Sequence, residues 1–195
     1  MKLIFVRHWE TLENQAGILQ GHIPWILSER WIQEAKSLAR SLATTKIDYI
    51  YSSDLQRAVD TTKLLATYHD WITVTYLELL RERSFWDFEW RPREEYFNMD
   101  RDMSPMNCWE TDHELFMRSK KFLAYLQKHY DAEGTFLIVS HWFFIKSMIA
   151  QIEWIPVEQF NTLEKLKNTS VTIVEWDFSQ WFTFLKRNCI NHLSQ

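Results

Sequence analysis

Lys2-Leu3-Ile4-Phe5-Val6-Arg7-His8 is the stretch whose reading decides the fold. Its apolar run is too short for a helix and rich in branched and aromatic side chains, so Lys2 to Val6 reads as a buried strand. It ends on a cation and an imidazole. The pattern returns twice. Ile47 to Tyr51 reads as a second strand, running into Ser52-Ser53 and then Arg57, and Thr135 to Ser140 reads as a third, ending at His141. Polar, reactive side chains therefore sit where apolar strands stop.

Between these strands the continuous apolar runs give way to apolar residues spaced about 3.6 apart. Ser28 to Leu42 is expected to be a helix with Ile32, Ala35, Leu38, Ala39 and Leu42 on one face. Ser53-Asp54-Leu55-Gln56 reads as a capping box that opens a helix carrying Ala58, Leu64 and Leu65, with Arg57 in its first turn. Thr111-Asp112-His113-Glu114 reads as another, opening a helix to about Tyr130. Phe144 to Ile152 is expected to be helical. Val74 to Leu77 is a short strand candidate, and Ser170 to Glu175 and Trp181 to Leu185 read as closing strands. Pro92 to Met106 is mixed and polar, and reads as a helical excursion off the sheet. This alternation predicts an α/β fold, a three-layer α/β/α sandwich with a mostly parallel central sheet. Such sheets bind ligands at the carboxyl ends of their strands, where Arg7-His8, Ser52-Ser53 with Arg57, and His141 all fall.

Composition narrows the function. The 195 residues fit one compact domain, and 46% hydrophobic content is enough for a sizeable core. A net charge of −4 and a pI near 6.0 argue against nucleic acid as the partner, so any anion site is a local cluster of cations. Cys108 and Cys189 show neither metal-ligand nor disulfide spacing and read as reduced thiols. No apolar run has the length of a signal peptide's core or a membrane span. The expected location is the cytoplasm, with no membrane partner.

Taken alone, a histidine at a strand end is usually structural and an arginine in a first helical turn usually solvated. Together they supply what phosphoryl transfer needs: a nucleophile, cations for the phosphoryl oxygens and an acid for the leaving group. His8 is the candidate nucleophile, Arg7 and Arg57 the bidentate clamps, His141 a further donor and Glu82 the acid.

Four motifs in order resemble the histidine phosphatase superfamily, with its phosphoglycerate-mutase-like fold. They are Arg7-His8-x-Glu10-Thr11 followed by Asn14; Ser52-Ser53-Asp54-Leu55-x-Arg57-Ala58-x-x-Thr61; Leu80-x-Glu82 with Asp87-Phe88-Glu89 after it; and Val139-Ser140-His141. The resemblance covers nearly the whole chain. It implies a phosphohistidine at His8, with oxygens held by Arg7, Arg57 and His141 and with Asn14 assisting. It makes Glu82 first the proton donor and then the base that activates water, and places Gln20 and Gly21 on the pocket wall. It implies no metal and no cofactor. It also implies a single domain over 1–195 with a small helical cap at about 91–107, and a small phosphorylated metabolite as partner. A metal-independent phosphomonoesterase is the leading reading, because the chain lacks the longer insertions of the glycolytic mutases. A phosphoglycerate mutase and an inactive binding relative stay open as alternatives. Arg91, Arg93 and Arg101 are candidate contacts for an acidic substrate, or a solvated face.

One departure recurs. Trp9, Trp31, Trp86, Trp90, Trp109 and Trp142 stand where the family places glycine, and Trp25, Trp71 and Trp154 fall in turn-like contexts that suit glycine. Three glycines and eleven tryptophans together come to about 7% of the chain, glycine's ordinary share. A Cβ in left-handed backbone costs about 1–2 kcal/mol, and overpacking typically about 1–3. Trp9 and Trp142 are expected to crowd the phosphate pocket, and if both are native the inactive alternative gains. The distribution is the one expected when a UGA codon that the source organism reads as glycine is rendered as tryptophan. Trp176 and Trp181 read as genuine aromatic core.

Overall fold

The computed structural model describes residues 1–9, 11–23, 29–98, 109–178 and 182–194. Six strands form one sheet in the order β3-β2-β4-β1-β5-β6. They are β1 (Lys2–Arg7), β2 (Tyr49–Ser52), β3 (Val74–Tyr76), β4 (Thr135–Ser140), β5 (Val171–Trp176) and β6 (Phe182–Cys189). β1 pairs parallel with β4, β4 with β2 and β2 with β3, whereas β5 runs antiparallel to both β1 and β6. The helices are α1 (Leu12–Gln15), α2 (Glu29–Leu42), α3 (Gln56–Leu65), α4 (Arg93–Asn98), α5 (Asp112–His129) and α6 (Trp142–Ile152).

The sandwich follows from strand alternation, which sends successive side chains to opposite faces. Leu3 and Phe5 of β1, with Phe136 and Ile138 of β4, pack beneath Phe122 and Leu126 of α5 and Phe144 and Met148 of α6. Ile4 and Val6, with Leu137 and Val139, pack against Leu38, Ala39 and Leu42 of α2 and Ala58 and Leu65 of α3. Both faces are covered, so the central strands are apolar throughout, which is why they read as continuous runs.

Several boundaries differ from the sequence reading. The second strand starts at Tyr49, because Asp48 instead closes a turn with Thr135, its backbone N–H donating to the Thr135 carbonyl and its Oδ2 accepting from the Thr135 N–H, both at 2.9 Å. The last helix begins at Trp142, two residues earlier than expected. The Ser53–Gln56 capping box is not formed. Leu55 is the N-cap of α3 and provides no side-chain bond, while Gln56 reaches forward to Asp60. Ser53 lies too far ahead of the first turn, and its hydroxyl is bonded to His141 and to the Leu55 N–H instead. The Thr111–Glu114 box is formed as expected and opens α5. Of the segment at about 91–107, residues up to 98 are described, and α4 lies among them. Glu10, Trp25, Ser28, Arg101, Cys108, Trp181 and the Trp31 and Ile32 side chains lie outside the described residues. Cys189 is a free thiol. No helix among the described residues is long and apolar enough to cross a membrane.

Candidate active site

The parallel strands stop at one edge of the sheet, and three of them deliver the site. His8 follows β1, Ser53 follows β2 and His141 follows β4. The register pairs Arg7 with Ser140 and Ser52 with Val139, so these residues emerge side by side. The His8 and His141 rings lie 4.8 Å apart between centroids, tilted by 54°. α3 brings Arg57 up from below, its first turn aimed at the same point.

His8 is buried and held in one tautomer. Its Nδ1–H donates to the Trp9 carbonyl at 2.5 Å, which leaves the Nε2 lone pair facing the Arg57 Nε–H at 3.2 Å. Burial, then the charges of Arg57 and Arg7, hold this imidazole well below its ordinary pKa. It is therefore neutral at neutral pH, with Nε2 unprotonated. His141 is depressed too, by burial first and then by Arg57 and His8, and its Nε2 meets the Ser53 hydroxyl at 2.8 Å. Burial pulls Arg57 down to about 10, still a cation at neutral pH, and one of its Nη2 hydrogens is donated to the Gly21 carbonyl at 2.8 Å.

Glu82 enters from the loop after β3. Its Oε1 accepts the Arg83 N–H at 2.9 Å and the Phe143 N–H, in the first turn of α6, at 3.1 Å. Asn14 and Thr11 close a reciprocal capping box on α1, so Asn14 is placed by its own helix start. Gln20 donates to the Thr11 hydroxyl. Gly21 has φ +54, and a Cβ there would overlap the Glu89 carboxylate, which in turn accepts from the His22 and Phe85 N–H groups. Glycine at 21 is thus favoured by its left-handed conformation, and a larger residue would displace the Glu89 side chain.

A cavity of about 70 Å³ is lined by Arg7, His8, Asn14, Gln20, Gly21, Arg57 and Glu82, with Trp142 on one wall. It joins a chamber of about 120 Å³ that adds Lys165 and Asn168. The expected site residues are brought together, except that His141 lies behind His8 rather than among the lining residues. Of the candidate basic residues, Arg93 lines both spaces, while Arg91 turns onto the Phe88 ring and Glu95. Lys165 and His22 carried no sequence signal beyond their charge. Trp9 does not crowd the phosphate pocket as expected. Its indole is buried with Ala35 and Leu64 behind His8, with the ring N–H unpartnered among the described residues. Among the described tryptophans, left-handed backbone is found at Trp86 (φ 40), Trp90 (φ 74) and Trp154 (φ 56).

The profile of the histidine phosphatase superfamily (branch 1) matches residues 3–189, and the chain belongs to that family. The adenosylcobalamin/alpha-ribazole phosphatase of Salmonella typhimurium is 32% identical over 166 residues, covering 80% of this chain and 81% of the relative. A metal-independent phosphoserine phosphatase of Arabidopsis thaliana is 27% identical over 192 residues, covering 92% and 78%. Among solved structures, Bacillus stearothermophilus YhfR superposes with a TM-score of 0.85 at 24% identity, covering 98% of each chain, and shares the fold. The chain is accordingly a phosphatase of this superfamily, and its relatives act on small phosphorylated metabolites.

Proposed function

We propose that the protein is a metal-independent phosphomonoesterase working through a phosphohistidine at His8. The observation that carries this is the His8 imidazole itself, which is neutral, buried and fixed by Trp9 so that Nε2 faces the guanidinium of Arg57. A monoester's phosphoryl oxygens are gripped by Arg7 and Arg57, with Asn14 assisting and the walls at Gln20 and Gly21 closing the pocket, while His141, behind His8, becomes the further donor once its Nε2 turns from the Ser53 hydroxyl to the phosphate. The His8 Nε2–P bond forms as the P–O bond to the leaving group breaks. Glu82 gives its proton to that oxygen, and the alcohol departs. The Glu82 carboxylate then takes a proton from water, whose oxygen attacks phosphorus, and the P–N bond breaks to release orthophosphate and restore His8. The segment at about 91–107 is the cap of a single domain, presenting Arg93 to the part of the substrate beyond its phosphate.

The test is His8→Ala assayed on a generic aryl phosphate. Turnover is expected to fall by at least about 1000-fold, the scale lost when a covalent nucleophile is removed. Full activity in this variant would overturn the nucleophile assignment.

A further inference from the structure

Glu82 sits on an irregular turn rather than on a strand or helix, and although its Oε1 accepts the Arg83 and Phe143 N–H groups, the backbone that carries it must be held by other elements. The chain from Glu78 to Ser84 is a short 3₁₀ turn followed by extended residues, with few backbone bonds of its own. The Ser140 hydroxyl of β4 donates to the Leu80 carbonyl at 2.7 Å, and three other carbonyls of the turn are bonded by one side chain from α5. The Arg118 Nη1 donates to the Leu79 carbonyl at 2.9 Å and to the Arg81 carbonyl at 2.7 Å, and Nη2 donates to the Glu82 carbonyl at 3.3 Å. The remaining N–H groups grip Glu110, Nε to Oε1 at 2.7 Å and Nη2 to Oε2 at 2.6 Å. All five guanidinium donors are thereby used.

Two further contacts make the arrangement directional. The Glu110 N–H donates to the Ser84 carbonyl at 2.9 Å, so the carboxylate that braces Arg118 is itself tied to the far end of the same turn. His22 Nε2–H donates to the Glu82 carbonyl at 2.8 Å, linking the turn to the loop whose Gly21 carbonyl receives Arg57. The Glu82 peptide oxygen is thus held from two sides, by His22 and Arg118, while its carboxyl, bonded to the Arg83 and Phe143 N–H groups, lines the pocket.

From this geometry we infer that Arg118, braced by Glu110, is a positioning residue that aims the Glu82 carboxyl at the leaving oxygen. The inference rests on Glu82 being the proton donor. Arg118 is not among the residues that line the cavity around His8. It replaces the missing backbone ladder of the turn, and a planar fork is needed because three carbonyls and a carboxylate converge on it from different directions. A lysine's single ammonium, with three donors, cannot meet all five acceptors.

The experiment compares kcat/KM for two esters, 2,4-dinitrophenyl phosphate and phenyl phosphate. The dinitrophenolate departs without a proton, whereas phenolate needs one. Arg118→Ala is expected to lower kcat/KM for phenyl phosphate about 100-fold, the lower end of what a placed acid contributes, and for the dinitrophenyl ester by less than about threefold. Arg118→Lys should fall between, at about a tenfold loss on phenyl phosphate. Equal losses on both esters would overturn the inference, because a merely structural residue does not sense the leaving group. Glu82→Gln run alongside separates the two failures. If it shows no leaving-group dependence, the assignment of Glu82 as acid falls and the inference falls with it. If it shows the dependence and Arg118→Ala does not, Glu82 stands and only Arg118 falls. Should Arg118→Ala not fold, Glu110→Gln, which keeps shape and removes the brace's charge, is expected to show the same split in weaker form, and equal losses there would likewise overturn it.

Discussion

A single φ angle separates two kinds of tryptophan in this chain. Trp86, Trp90 and Trp154 hold left-handed backbone while leaving 54%, 59% and 66% of their surface in solvent. They bear the cost of a Cβ at positive φ and recover little from burial. Glycine relieves about 1–2 kcal/mol at such a site and gives back about 0.5–1 through the freer unfolded chain. Trp86→Gly, Trp90→Gly and Trp154→Gly should each therefore stabilise by about 0.5–1 kcal/mol in urea unfolding, and a loss of stability at all three would contradict the strain. Trp142 differs, because its backbone is helical. It walls the phosphate cavity, with its indole N–H unpartnered among the described residues. Trp142→Gly is expected to raise kcat/KM on an aryl phosphate about tenfold by opening that wall, equivalent to about 1.4 kcal/mol of relieved crowding. The proposal that these positions are glycine in the source cell is checked independently by native peptide masses, and tryptophan read at 9 and 142 would end it.

At the scale of elements, the site depends on how α5 begins. The Thr111 hydroxyl accepts the Glu114 N–H, and the Glu114 carboxylate accepts from the Thr111 N–H and hydroxyl. Those bonds, from the Thr111 backbone first, hold the Glu114 carboxyl below its ordinary range. Thr111→Ala should cost about 1 kcal/mol at neutral pH. Because a depressed carboxylate contributes stability that is present above its unfolded pKa and lost as pH falls through the folded one, the difference between the two chains should shrink at pH 3. An unchanged difference in urea unfolding at the two pH values would rule out the charged half of the box. Arg118 stands two turns further along α5, so this cap also fixes the element that holds the Glu82 turn. The sequence revealed the Thr111 box because its two partners are three residues apart. It misled at Ser53–Gln56, where the same spacing occurs but Ser53 is drawn to His141, 88 residues away.

For the whole molecule, burying two neutral imidazoles beside cations makes the fold sensitive to mild acid. His8 and His141 are both depressed, chiefly by burial, so the unfolded chain binds protons near pH 6.5 that the folded chain refuses. Stability is therefore lost as pH falls below the unfolded pKa. Between pH 6.5 and 5.5 each histidine is expected to remove about 1 kcal/mol, about 2 for the pair. His192, held low by burial and Lys186, acts in the same direction and remains in the comparison. The double variant His8→Asn with His141→Asn should lose about 2 kcal/mol less over that interval in denaturant unfolding, and identical pH slopes would refute the assignment.

By itself the sequence determined the layer architecture, since doubly buried strands must be apolar throughout and their helices must carry one apolar stripe. It also singled out the candidate nucleophile, clamps and acid, since Arg7-His8, Arg57, Glu82 and Val139-Ser140-His141 each stand beside a recognisable apolar run or within a recognisable motif. Only the tertiary structure decided which of several cations faces the pocket. Arg91 and Arg93 differ by two residues and look alike in sequence, yet one covers Phe88 and the other lines the cavity. It alone placed Trp9 behind His8 and Trp142 in the wall, and joined Arg118 to three carbonyls more than thirty residues earlier. Local spacing records what a residue's own element needs, whereas these contacts arise where separate elements converge, and no short-range pattern along the chain encodes them.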